Sequence, residues 1–498
     1  MPISEVSING DGVRLPGILS DEMLSGWART SPTRATRWRP GSVGDVESHL
    51  DRTWPRGVIA RGLGRSYGDA AQNAGGHVVD LTELTHLDGE ELGTDGVLSC
   101  DAGTSLGEIM AKAIPRGWFP LVIPGTRFVT VGGAIAADIH GKFRHGSFAS
   151  SVIDATLVTA SGEIRTIRSR GGGPATDADR ARPDNAAAAA AATAAAAAAA
   201  WSATVGGMGL TGVVTRARLQ LHPIETAWMT VDTERCFDID DCMARMLDRD
   251  DRYRYSVAWI DTMARGRSLG RAVLERANHA THAELDADRA AHPLDYVVHP
   301  EIAMPPWFPG GMVNRLTVKA FNEAWFRKAP RESVGHLRSV VSFFHPLDRV
   351  LGWNRVYGRR GFLQYQFVVP YGAENVVRAA LERFSAAAAP CFLAVLKRFE
   401  SASDGLLSFP MPGWTLTVDV PTSLAGLAEL LEGLDAQVAA AGGRVYLAKD
   451  SRLDRAMLPE MYPQLGEWRE VQALLDPRGS MRSDLDRRLG VVDRKEGS

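Results

Sequence analysis

Of the 56 cationic Lys and Arg residues in this 498-residue chain, only seven are lysines. A lysine amine can give up its proton when desolvated; an arginine guanidinium cannot. In a chain that writes nearly every cation as Arg, a retained Lys marks a place where an amine is needed. Lys449 follows the apolar run Tyr446-Leu447-Ala448, where desolvation would lower its pKa and suit it to taking or sharing a proton; a surface Lys at a strand end would read the same. Lys397 ends another apolar run, and Lys142 follows Asp138-Ile139-His140-Gly141, which adds an imidazole. Gln364 and Gln366 lie two apart, as do Thr415 and Thr417, so each pair shares one strand face. With Lys397 they would build a polar sheet face over a bound ligand. A solvated sheet face would have the same pattern.

Three glycine-rich runs suggest what that ligand is. Ala60-Arg61-Gly62-Leu63-Gly64-Arg65-Ser66-Tyr67-Gly68-Asp69-Ala70 follows an apolar β run. Its glycines permit a tight turn that brings N–H groups to an anion. The spacing is not that of a dinucleotide GxGxxG, and a strand rather than a long helix follows. Next come Pro124-Gly125-Thr126 and Thr130-Val131-Gly132-Gly133-Ala134-Ile135-Ala136-Ala137, read as small-residue loops. The third is Gly206-Gly207-Met208-Gly209-Leu210-Thr211-Gly212-Val213-Val214. One such run is what any turn requires. Three in succession point to a long, extended cofactor wrapped by backbone amides.

The elements that position these residues are mixed. Short β runs such as Val97–Asp101 and Val152–Thr159, with helices such as Val43–Leu50 and Leu106–Ala113, fill the first half. Strands Thr226–Asp232, Gly361–Val369, Cys391–Lys397 and Thr415–Val420, with helices Glu374–Ala387 and Leu424–Ala441, fill the second. This is an α+β chain with a leader over 1–25, a cofactor domain over 26–224, a substrate domain over 225–425 and a C-terminal segment over 426–498. A low-complexity insertion at 168–200 includes the alanine tract Ala186–Ala200, which is expected to be helical and without chemistry.

Composition narrows the function. Hydrophobic residues at 45% and charged residues at 23% fit a soluble globular protein. A net charge of −3 leaves no cationic surplus for nucleic acid. Cys100, Cys236, Cys242 and Cys391 lack metal-site or disulfide-framework spacing, so no metal is expected. Neither an export signal nor a run long enough to span a bilayer is read, which leaves the compartment open between the cytoplasm and either side of the membrane periphery.

The order RGLGRSYGD, then PGT, TVGGAIA and DIHGK, then WSATVGGMGLTG resembles the vanillyl-alcohol-oxidase-type FAD-binding superfamily. Phe344-His345-Pro346-Leu347-Asp348, Trp353-Asn354-Arg355, Gly361–Phe367, Leu407–Pro410, Pro412-Gly413-Trp414 and Tyr446–Arg452 resemble one branch of it, the decaprenylphosphoryl-β-D-ribose oxidases. The resemblance runs from about Leu24 to Leu489. It implies a two-domain fold, with an FAD-binding domain built from both chain ends and an inserted antiparallel-sheet substrate domain. It implies that FAD takes a hydride from C2 of a polyprenyl-phospho-β-D-ribofuranose to give a 2-keto sugar, on the way to the arabinose donor of cell-wall arabinan. An NADH-dependent short-chain reductase would return hydride to the other face.

By motif, the cofactor would be held by Ala60–Ala70, Gly125, Thr130, Val131, Gly132, Gly133, Ala137, Asp138, Ile139, His140, Val214 and Tyr446. Lys449, His140 and Gln366 would act in catalysis, and Lys142, Phe344, Gln364, Gln366, Lys397, Thr415, Thr417 and Lys449 would meet substrate. Related sugar oxidases often tie flavin to a His of the first glycine loop. This loop has none, so FAD is expected to be non-covalent.

Two departures bear on substrate. Mycobacterial members carry Asn-Ile-Cys where this chain has Thr415-Leu416-Thr417, so the thiol trapped by nitroaromatic inhibitors is absent and no adduct is expected. A Tyr expected before His345 is Phe344. A soluble alditol or aldonolactone oxidase using O₂ is the alternative enzyme reading, and a non-catalytic flavin-binding protein is a third. Membrane contact would be peripheral, through the lipid tail of the substrate; the loop Met304-Pro305-Pro306-Trp307-Phe308-Pro309 could touch lipid, but a Pro-stiffened surface loop has the same composition.

Overall fold

The computed structural model describes residues 18–87, 92, 94–169, 184–298, 301–305 and 311–493, with backbone alone for Ile18 and 184–190. The expected lipid-facing loop lies outside these residues except for Met304 and Pro305. Part of the expected leader is a strand: Ile18–Leu24 pairs antiparallel with Thr33–Arg39. Its polar composition hides this, because an edge strand keeps only one face dry.

Two four-stranded sheets form the first half. One has the order Ile18–Leu24, Thr33–Arg39, His77–Asp80, Val58–Arg61, its last two pairings parallel. The other has the order Val97–Asp101, Val213–Gln220, Val152–Val158, Ile164–Ile167, antiparallel throughout. The second glycine run departs from the expected loop. Val131–Ala136 is a short helix, because Thr130 caps it by accepting the Gly133 N–H on its hydroxyl.

The second half is an eight-stranded antiparallel sheet. Its order is Glu332–Ser339, Trp228–Cys236, Ala272–His279, Tyr255–Ile260, Ala394–Phe399, Gly413–Pro421, Phe362–Val369, Arg444–Val445. Side chains alternate across its central strands. Tyr365 and Trp414 point one way: the Tyr365 hydroxyl donates to Asp435 on the Leu427–Ala440 helix at 3.0 Å, and the Trp414 indole donates to Glu374 on the Glu374–Ala386 helix at 2.9 Å. Gln364, Gln366, Thr415 and Thr417 point the other way, toward the first half.

The C-terminal segment does not return to the first half at 426. The Leu427–Ala440 helix and the strand Arg444–Val445 still belong to the large sheet. The return starts at Tyr446. Tyr67 N–H donates to Ala448 O at 2.9 Å, Val58 N–H to Ser480 O at 2.8 Å, and Arg482 N–H to Val58 O at 2.9 Å. Arg488 clamps the junction between Asp69 and Asp450. The alanine tract lies in the helix Asp184–Thr204, whose last turns are buried. Its end docks on the Leu465–Leu475 helix, where the Trp468 indole donates to Ala203 O at 2.8 Å.

Gly68 sits at this closure. A Cβ there would lie 1.7 Å from Asp450 O, a backbone atom that cannot yield without moving the Tyr446–Arg452 turn. Gly68→Ala is therefore expected to destabilise the fold by about 3 kcal/mol. The check is a fall in Tm with loss of bound flavin; an unchanged Tm would contradict the close approach.

Candidate active site

The site is built on strand register. Val273 pairs with Trp259, Trp259 with Val395, Val395 with Thr417, and Thr417 with Gln366. One row of side chains thus crosses five strands on the face turned to the first half. It is polar at the Gln366 end and apolar at the Val273 end. Lys397 pairs with Thr415 and Gln364 with Asp419, which thickens the polar end.

Between this face and the glycine runs lies a cavity of about 630 Å³. Ala60–Tyr67, Ala70, Gly125, Thr130, Gly132, Gly133, Ala137, Ile139, His140, Val214 and Tyr446 line it from the cofactor side. Lys142, Phe344, Gln364, Lys397, Thr417 and Lys449 line it from the sheet side and its junction. The wall fits a large planar cofactor with a diphosphate. A Cβ on Gly125 would meet nothing within 4 Å, so that backbone faces open cavity. Gly64 has φ of +65°, a left-handed turn open to glycine. The buried Arg65 Nε and Thr417 Oγ1 have no hydrogen-bond partner in the protein. Arg61 fixes the first loop by donating to Ala71 O and Ser25 O at 2.9 and 2.8 Å. Arg65 stacks over Trp27, 4.0 Å from the ring centre.

His140 stands at the junction. The Gln366 amide nitrogen lies 3.1 Å from its Nε2, and Lys397 Nζ lies 3.3 Å from its Nδ1. Gln366 also donates to Thr415 at 2.9 Å, and Lys397 to Gly141 O at 3.2 Å. Burial holds His140 well below the usual imidazole pKa, and Lys397 and Lys449 push it further. The ring is therefore neutral, with one N–H. Each ring nitrogen has one hydrogen-bonding neighbour, Gln366 at Nε2 and Lys397 at Nδ1. Burial and then the Lys449 charge bring the Lys397 pKa down to about 7.

Lys449 Nζ lies 5.4 Å from the centre of the Tyr67 ring. Desolvation lowers its pKa and raises that of Asp419, and each partner favours charge on the other. Lys142 donates to Phe343 O, and burial brings it down to about 8. All three lysines keep some accessible surface, and all three line the cavity. Three of the seven lysines thus converge on one void.

Six expected residues stand off the cavity wall. Gly68 and Asp69 serve the closure with Asp450 and Arg488, and Val131 is fully buried in the core. Asp138 turns its carboxyl away: it accepts from Ala149 N–H at 3.3 Å among the hydroxyls of Ser147, Ser403 and Ser408. Its φ of 41° redirects the chain so that Ile139–Lys142 face the cavity. Gln366 and Thr415 are buried beside His140, Gln366 bonding both, and do not line the cavity. Sequence reasoning missed Asp419, although it continues the Thr415, Thr417 alternation. It also missed Trp259, Phe321, Trp325 and Phe392, which line the apolar end. Their spacing carries no signal apart from ordinary core.

Two outcomes follow. Acid precipitation of the purified protein should leave the flavin in the supernatant, since the first loop presents no histidine to bind it covalently; a yellow pellet would contradict this. Lys397→Met removes a cation from Nδ1 and should raise the His140 pKa, read by NMR titration of the ring signals; no upward movement would show that burial alone sets it.

An FAD binding domain family matches residues 38–168. The decaprenylphosphoryl-β-D-ribose oxidase of Mycolicibacterium smegmatis is 39% identical over 475 residues, covering 94% of this chain and 97% of the relative. An uncharacterized protein in the mprA 5′ region of Streptomyces coelicolor is 37% identical over 398 residues, 78% of this chain and 100% of that one. Cytokinin dehydrogenase 4 of Oryza sativa subsp. japonica is 29% identical over 212 residues, 39% of this chain and 34% of the relative. With the glycine cradle, the lysine-lined cavity and this full-length similarity, the chain belongs to the decaprenylphosphoryl-β-D-ribose oxidase family and is an FAD-dependent oxidoreductase.

Proposed function

We propose that the protein oxidises the C2 hydroxyl of a polyprenyl-phospho-β-D-ribofuranose to the ketone. The observation that carries this reading is the enclosure of Lys449, Lys397 and His140 opposite the cofactor cradle. FAD, when bound, supplies the two-electron acceptor for the hydride. The chain supplies the rest. Lys449, made a weaker acid-holder by desolvation, takes the hydroxyl proton on its neutral amine. Gln366 and Lys397 hold the His140 ring in place through its two nitrogens. The sheet and the glycine loops exclude water from the reacting carbon.

The sign of the pH dependence follows from Lys449. Below its depressed pKa the amine carries a proton and cannot accept another, so the rate of flavin reduction should fall on the acid side. Completing an epimerisation requires hydride return to the opposite face, and we infer an NADH-dependent short-chain reductase as the partner class. Among the described residues no helix is long and apolar enough to cross a membrane, so membrane contact would run through the substrate lipid.

The test is anaerobic bleaching of the flavin by polyprenylphosphoryl ribose. The wild-type protein should bleach with this lipid and not with free polyols. Lys449→Ala should keep its flavin and bleach at least about 100-fold more slowly. Bleaching by polyols alone, or near wild-type rates in Lys449→Ala, would overturn the reading.

A further inference from the structure

The cavity extends well past the groups that do chemistry. Beyond Lys397 the wall becomes apolar: Val257, Trp259, Val273 and Val395 on the sheet face the helix Arg315–Lys328. Phe321 and Trp325 of that helix line the same void yet remain 37% and 43% exposed, so they form its rim. An aromatic row connects floor to mouth. Trp259 and Trp325 lie 6.5 Å apart, Trp325 and Phe321 stack at 5.9 Å, and Phe321 meets Phe392 at 5.0 Å. One carboxylate interrupts this arm, Glu275, and Arg338 neutralises it at 2.6 Å.

We propose that this arm holds the first isoprene units of the substrate's polyprenyl chain, with the Arg315–Lys328 helix as its outer wall. The proposal rests on the polyprenyl-phospho-ribose reading of the site. Continuity selects the occupant. The arm opens into the space beside Lys449, so a chain attached to the group that reacts there can enter it. The arm is also a void between helix and sheet, which suits a flexible chain and excludes a folded partner. Lys142 and Lys397 stand where the polar and apolar ends meet, which places cationic groups at the phosphate between sugar and chain. The partly exposed Phe321 and Trp325 mark the mouth, so the remaining chain would leave past these two rings.

The test compares ribosyl phospholipids carrying a dimethylallyl or a geranylgeranyl chain, with the holoenzyme and anaerobic flavin reduction as readout. Geranylgeranyl phosphate, which has no sugar to oxidise, serves as a binding probe by quenching of tryptophan fluorescence. The longer chain should raise kcat/KM at least about tenfold in the wild type. Trp325→Ser, on an exposed helix face, and Val273→Asp, in the floor, should each cut that preference about tenfold and weaken binding of the probe. Equal kcat/KM for both chains, or an undiminished preference in folded, flavin-loaded Trp325→Ser, would overturn the assignment. If neither ribosyl lipid reduces the flavin while the probe binds in a Trp325-dependent way, the arm stands as an isoprenoid site and the ribose reading fails.

Discussion

Everything in the site depends on the pairing register of the Ala394–Phe399, Gly413–Pro421 and Phe362–Val369 strands. A strand has period two, so a slip of one residue would exchange its faces. Thr415, Thr417, Gln364, Gln366 and Lys397 would then face the helices, and Trp414, Leu416, Tyr365 and Phe367 would fill the cavity. The helices prevent the slip. Tyr365 and Trp414 each have a hydrogen-bond partner on a helix, at Asp435 and Glu374, and both would lose it. The polar face is thus held in place by apolar packing and paired hydroxyl and indole groups on its reverse side.

The second condition is closure between distant parts of the chain. Lys449 belongs to the turn that also meets the first glycine loop through Ala448 and Gly68. The segment that carries the amine therefore also holds the cofactor cradle shut. Arg488 ties the same place from the far end of the sequence. Desolvation of Lys449 depends on this closure, since an open junction would let water stabilise its charge.

Much of this was legible in the sequence, and the reason differs by residue. The two-residue spacing of Gln364 with Gln366 and Thr415 with Thr417 encodes a shared face, and glycine runs encode close backbone approach. The scarcity of lysine drew attention to Lys449, and the family resemblance singled it out from the other lysines. Other features depend on tertiary placement. Asp138 reads like its neighbour His140, yet a left-handed backbone turns it into a serine cluster. Gln366 reads like Gln364, yet it is buried against His140 and Thr415 at the end of the row. Trp259, Phe321 and Trp325 come from a strand and a helix whose meeting no local pattern announces. The strand Ile18–Leu24 was concealed by its charged residues, and the short helix after Thr130 by its glycines.

The alanine helix has a consequence of another kind. Its side chains from Ala191 to Ala196 are exposed, whereas Ala198, Ala200 and Trp201 are buried and fix its C-terminal end against the core. A helix anchored at one end keeps the phase of that end whatever its length beyond it. Residues added to or removed from the exposed part would leave Trp201 and the glycine turn that follows in place. A change of length is thus absorbed outside the core, whereas a change in the residues just after the tract is not.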